Sequence, residues 1–206
     1  HFPFKSGIID NYHPLENSLS EGTYYWKVIA TDGAGNDNES VTFVLDLRVP
    51  PVSSIQPVTP YWNSSSTVDL TVTADDNDGV VDEVELWYRY SADNSSWGSW
   101  ILADLDSSAP WSFTFNFELW NGEGYYEFYS RAKDNNGNYE NAPAQADVSC
   151  GYDSTAPGTP APDSPENEGE VTTATPTFSW SEVTDLSGVT YELMIDNDNT
   201  FTSPLY

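Results

Sequence analysis

The chain has 206 residues, with 33 Asp and Glu against 6 Lys and Arg, for a formal net charge of -27. That balance excludes nucleic acid and anionic lipid surfaces as partners, since both are held by the Lys and Arg that are scarce here. Ala and Leu are sparse, Thr, Val, Tyr and Trp plentiful, and no apolar run approaches the roughly 20 residues of a membrane-spanning helix, so neither a helical fold nor membrane insertion is expected.

Residues 1–21 carry apolar and turn residues but no opening strand of a domain. Glu21 to Asp32 then alternates, with Tyr24, Trp26, Val28 and Ala30 on one side, which predicts a strand with one buried face. A reversal on Asp32, Gly33, Gly35 and Asn36 follows, and Val41, Phe43, Leu45 and Leu47 alternate in turn. This reads as the last hairpin of a sandwich. Val49-Pro50-Pro51 marks a junction, because Pro cannot continue a ladder.

The intact pattern runs from Val52 to Val148. Val68, Leu70, Val72 and Ala74 predict one strand, and Val84, Leu86, Tyr88 and Tyr90 a second. Trp97 to Leu102 predicts a short strand, and Trp111, Phe113, Phe115 and Phe117 share one parity. Glu123 to Asn138, EGYYEFYSRAKDNNGN, then repeats EGTYYWKVIATDGAGN of Glu21 to Asn36 at a separation of about 100 residues. Tyr24 matches Tyr126, Trp26 matches Phe128, Ala30 matches Ala132 and Asp32 matches Asp134. A Tyr in that place suits the tyrosine corner of immunoglobulin-like sandwiches. With a last strand through Ala144 to Val148, the expected fold is all-β: tandem antiparallel β-sandwiches, with 52–148 a complete immunoglobulin-like one.

A Pro-rich linker covers 149–162. Beyond it Phe178 and Trp180 share a side, and Val189, Tyr191, Leu193 and Ile195 predict a further strand. Residues 163–206 thus read as the N-terminal half of a sandwich and 1–48 as the C-terminal half. Placing Tyr206 before His1 gives a composite of about 100 residues, the size of one such domain. The expectation is one period of a longer array, processed or excerpted, cut inside a domain. Its completion would come from the next repeat in the same chain or from a neighbouring subunit by strand donation.

The composite resembles fibronectin type III-like domains of microbial surface proteins, through TPTFSW, YELMIDNDNTF and EGTYYWKVIATDGAGN. The middle domain is similar to the immunoglobulin-like modules found beside them, through VELWYRYSADNSSWGSW, APWSFTF and GYYEFYSRAKDNNGN. The resemblance implies an extracellular or cell-surface setting and a structural role, a fibre built from copies of this unit. The competing class is an adhesin stalk or a carbohydrate-binding accessory module of a secreted protein.

Candidate chemistry is thin. His1 and His13 belong to no nucleophile or zinc motif, so no catalytic residues are assigned and no enzyme is expected. Asp75, Asp76 and Asp78 crowd one reversal with oxygen ligands that suit calcium, although turn chemistry alone also explains them. Asn38, Asn63 and Asn94 head Asn-x-Ser sequons in predicted loops, so covalent glycans are expected on the surface. Trp87 takes the outward parity of Glu85 and Arg89, and with Trp97 and Trp100 it marks a platform for sugar or for another subunit. The lone Cys150 keeps the inward parity of Ala144, Ala146 and Val148, which predicts a buried thiol.

Overall fold

A computed structural model describes residues 7–15, 17–76 and 79–202. Among them the fold is all-β. Among the described residues no helix is long and apolar enough to cross a membrane.

The centre is a sandwich of two sheets. The first has three strands in the order Ser112–Asn116 (β10), Thr67–Asp75 (β7) and Val52–Ile55 (β5). The second has five, in the order Trp62–Asn63 (β6), Val148–Tyr152 (β12), Gly124–Asp134 (β11), Val81–Ser91 (β8) and Ile101–Asp106 (β9). All pairings are antiparallel except the short one between β6 and β12.

Period-2 alternation delivers one face of each strand to the space between the sheets. From the first sheet come Ile55, Val68, Leu70, Val72, Phe113 and Phe115; from the second, Val84, Leu86, Tyr88, Tyr126, Phe128, Ala132, Cys150 and Tyr152. Aromatic rings fill the middle, with Phe115 edge-on to Phe128 at 4.9 Å and Phe117 stacked on Tyr152 at 4.7 Å. Such pairs add to the burial of their own area. Burial pushes the Cys150 thiol up to about 12, which leaves it protonated and packed as a small apolar group.

Two carboxylates close the seam between the sheets. Glu140 accepts from the Ser53 amide at 3.0 Å and hydroxyl at 2.5 Å on β5, and from the Ala132 amide at 3.0 Å on β11. Asp147 does the same one step along, accepting from the Ile55 amide at 3.1 Å and the Ser130 amide at 3.0 Å. Residues between β11 and β12 leave these edge amides without ladder partners, and buried amides must bond to something.

The N-terminal segment holds a second hairpin. Gly22–Trp26 (β1) pairs with Phe43–Leu47 (β4), and Ile29–Thr31 (β2) pairs with Asp37–Glu39 (β3). Tyr24 faces Leu45 and Trp26 faces Phe43, as Tyr126 faces Cys150 and Phe128 faces Val148. The repetition reaches single atoms. Tyr24 donates its hydroxyl to the Ser20 carbonyl at 2.8 Å, and Tyr126 to the Gly122 carbonyl at 2.6 Å. Asp32 accepts from the Asn36 amide and side chain, and Asp134 from those of Asn138. Gly35 and Gly137 take φ of 86° and 89° in the two turns, values that favour glycine.

The C-terminal segment pairs Pro162–Ser164 (β13) with Ser179–Trp180 (β14). The strand expected over 189–195 does not form. Alternation supplies an apolar face, but a strand also needs a neighbour to ladder with, and 189–195 has none among the described residues.

Other boundaries move as well. The last strand of the intact sandwich runs over Val148–Tyr152, where the sequence reading stopped at Val148, because Cys150 and Tyr152 pair with Tyr126 and Gly124. The strand expected from Trp97 starts at Ile101 and ends at Asp106. The continuous strand expected from Glu21 to Asp32 is interrupted at Lys27 and Val28.

The twin hairpins should answer differently to the same cut. Phe128→Ala is expected to cost about 3–5 kcal/mol in urea unfolding of the intact sandwich, whereas Trp26→Ala in dilute solution should change that transition by about 0.5 kcal/mol or less.

Asp134 yields a pH dependence. Burial raises its pKa, and the bonds from Asn138, Asn136 and Gly137 outweigh this and hold it below the usual carboxylate range. A folded pKa below the unfolded value, about 3.9, contributes stability at higher pH that is lost as pH falls through the folded pKa. Asp134→Asn should therefore be less stable near neutrality and lose less stability on acidification below about pH 4; urea midpoints at the two pH values measure both.

Candidate functional site

The feature that separates the two hairpins is cover. Phe128 is 0% exposed against the opposite sheet, while Trp26 is 52% and Phe43 47% exposed. Trp26 and Phe43 stack on each other at 4.9 Å and leave the rest of that face to solvent. Leu45, two residues from Phe43 on β4, extends the same apolar surface.

The C-terminal segment offers a second apolar surface, a groove of about 370 Å³ lined by Pro162, Phe178, Trp180, Tyr191, Leu193 and Met194. Trp180 and Tyr191 lie 5.4 Å apart at its wall, and the Tyr191 hydroxyl accepts from the Val183 amide at 2.9 Å. That bond anchors 189–194 beside β14 without a ladder.

The three outward tryptophans do come together. On the outer face of the five-stranded sheet, Trp87 stacks on Tyr129 at 5.9 Å and donates Nε1 to Glu85 at 2.7 Å. Trp100 meets Tyr129 edge-on at 4.5 Å. Arg89 lies 5.1 Å from the Trp97 ring and 4.8 Å from the Trp100 ring, while its Nε donates to Glu127 at 2.6 Å. The three tryptophans are half-buried in this cluster and Tyr129 is buried. The cation–π contacts bind the 97–100 loop to the sheet. The platform read from parity is thus a clamp whose ring faces are largely spent on one another.

The sequons separate by surroundings. Asn38 lies in β3 and Asn63 in β6, so two of the three stand in strands instead of the expected loops. Asn63 is half-buried and donates its side-chain amide to the Tyr61 and Gly151 carbonyls at 3.3 and 3.2 Å, which ties up the nitrogen a glycan would take. Asn94 alone stands fully in a turn. It is exposed, with φ 56°, in a turn pinned by Asp93, which accepts from the Ser95 and Ser96 amides.

Of the acidic reversal, Asp75 ends β7 and Asp76 follows it, with Asp78 outside the described residues. Among the described residues no group of three or more His, Cys, Asp or Glu is arranged to hold a metal. His1 and Tyr206 also lie outside the described residues. The carboxylates Glu140 and Asp147 were not singled out in the sequence. Acids are too common in this chain for two of them to stand out.

Neither protein-family models nor curated proteins give a match to this chain. Among solved structures it is similar to the fibronectin(III)-like modules of CbhA from Clostridium thermocellum, at 19% identity and a TM-score of 0.36. The overlap covers 65% of this chain and 63% of that one, so the chain spans less than two thirds of that structure's length. The sandwich assignment rests on the sheets described above.

Removing the Arg89 guanidinium tests the clamp. Arg89→Ala is expected to cost about 1–2 kcal/mol in urea unfolding and to shift tryptophan emission to the red as Trp97 and Trp100 become wetter.

Proposed function

We propose that the chain is the structural repeat unit of an extracellular or cell-surface fibre made of tandem β-sandwich domains. In this reading 52–148, with its last strand extended to Tyr152, is one stiff bead. Residues 1–48 and 163–206 are the complementary halves of a second sandwich, each finished by another copy, either the next repeat of the same polypeptide or a separate subunit. The observation that carries the reading is the twin hairpin: one sequence pattern, one set of capping bonds, one copy buried and the other bare.

The role is mechanical and has no catalytic step. Asp, Glu and a glycan at Asn94 would keep such a fibre soluble, since a surface far from neutral resists unspecific association. The Pro residues of 149–162 would restrict hinge motion between beads.

Electron micrographs of the native material are expected to show fibres with a regular axial repeat, and its mass per repeat should exceed the 22.9 kDa of the polypeptide. Dispersed, unconnected particles would contradict the fibre, and a bare mass would remove the glycan.

A further inference from the structure

The fibre reading leaves open which surfaces meet, and the two uncovered faces lie at opposite poles of the intact sandwich. Strand β11 runs its length, from Gly124 to Asp134. At the Asp134 pole, Asn138 donates its side-chain amide to Glu21 at 2.7 Å, which ties the start of β1 to that end. At the Gly124 pole, Glu123 accepts from Ser154 and Thr155, and the Ser187 amide donates to Asp153 at 3.0 Å, which ties the C-terminal segment to the other end. Eleven residues of strand separate the two anchors by about 35 Å.

A single molecule therefore cannot fold its own hairpin into its own groove. We infer that the groove between Phe178, Trp180 and Tyr191 takes the β1–β4 hairpin of a second copy, with Trp26 and Phe43 as the inserted side chains, so that copies join head to tail. This rests on the structural-unit reading above and supplies its joint.

Three observations identify the occupant. The first is the repeat itself. In the intact sandwich, the β11–β12 hairpin is covered by strands that precede it in the chain, namely β5, β7 and β10. The C-terminal segment follows the intact domain, as those earlier strands of a next sandwich would, and presents its aromatic side chains uncovered.

The second is area. Trp26, Phe43 and Leu45 on one surface, with Phe178, Trp180, Tyr191 and Met194 on the other, are each roughly 36–52% exposed. At on the order of 100 Å² apiece, with the flanking backbone, they approach the roughly 1,000 Å² that a specific interface has to bury.

The third is hand. Hairpin and groove are different surfaces on opposite poles, so the contact is heterologous and extends into a chain wherever the rotation between copies does not close a ring. Each joint leaves a free hairpin at one end and a free groove at the other. That is the condition for an open chain.

The test uses two variants of the full chain, Trp26→Asp to spoil the hairpin and Trp180→Asp to spoil the groove. Each alone should sediment as a monomer of 22.9 kDa at concentrations where the parent chain grows into polymers. Mixed in equal amounts they should give one species of twice that mass and nothing larger, because the intact groove of the first takes the intact hairpin of the second. That product also shows that both variants are folded. A Trp26→Asp chain that polymerises like the parent, or a mixture that stays monomeric while the parent polymerises, would overturn the joint and leave the fibre reading standing. A parent chain that stays monomeric up to millimolar concentration would overturn the joint between separate chains and leave the fibre only as a covalent array.

Discussion

An apolar sheet face has to be covered by something, and this chain carries the same face twice with different cover. Around Phe128 the opposite sheet supplies it, and the hairpin becomes part of a core of interlocked rings. Around Trp26 the ring of Phe43 is the nearest cover, and half of each ring meets water. The local causes of the hairpin are the same in both places: alternation, a tyrosine tied to a carbonyl four residues back, and a turn held by an aspartate and a left-handed glycine. The tyrosine bond and the turn therefore form in both copies, although the first copy's strand breaks at Lys27 and Val28. What differs is tertiary burial, which provides most of the stability of a sheet.

The intact sandwich is suited to act as a spacer. Its long central strand β11 joins the two poles, and its seam is sealed by the carboxylates of Glu140 and Asp147, which offer amides of both sheets a charged acceptor. The surface charge works against any joint between copies. At a net charge of -27, like surfaces repel each other over about 8–10 Å at moderate salt, so association has to draw on apolar contact and gains from added salt. A joint built from Trp, Phe and Tyr faces meets that requirement.

Much of the sandwich was legible in the sequence because its strands alternate strictly and its core residues fall on one parity. Val68 to Val72, Val84 to Tyr90 and Tyr126 to Ala132 lie where alternation puts them, and Cys150 is buried as its parity implies. The misplacements have physical causes. Residues 189–195 alternate as a strand does and form none, since alternation says which side is apolar and nothing about whether a partner is present.

The platform of Trp87, Trp97 and Trp100 was legible as a group. Its use was not, because parity cannot reveal that Arg89 and Tyr129 occupy the ring faces. A sequon likewise says nothing of hydrogen bonding, and only geometry distinguishes the engaged amide of Asn63 from the open turn at Asn94.

Amide hydrogen exchange across Gly22–Leu47, followed as a function of protein concentration, reads the cover of that hairpin directly. The account predicts fast exchange in dilute solution and, as copies associate, protection rising toward that of Gly124–Tyr152 in the same molecules. Protection of 22–47 that is already full in the dilute monomer, or that stays absent in the associated material, would contradict it.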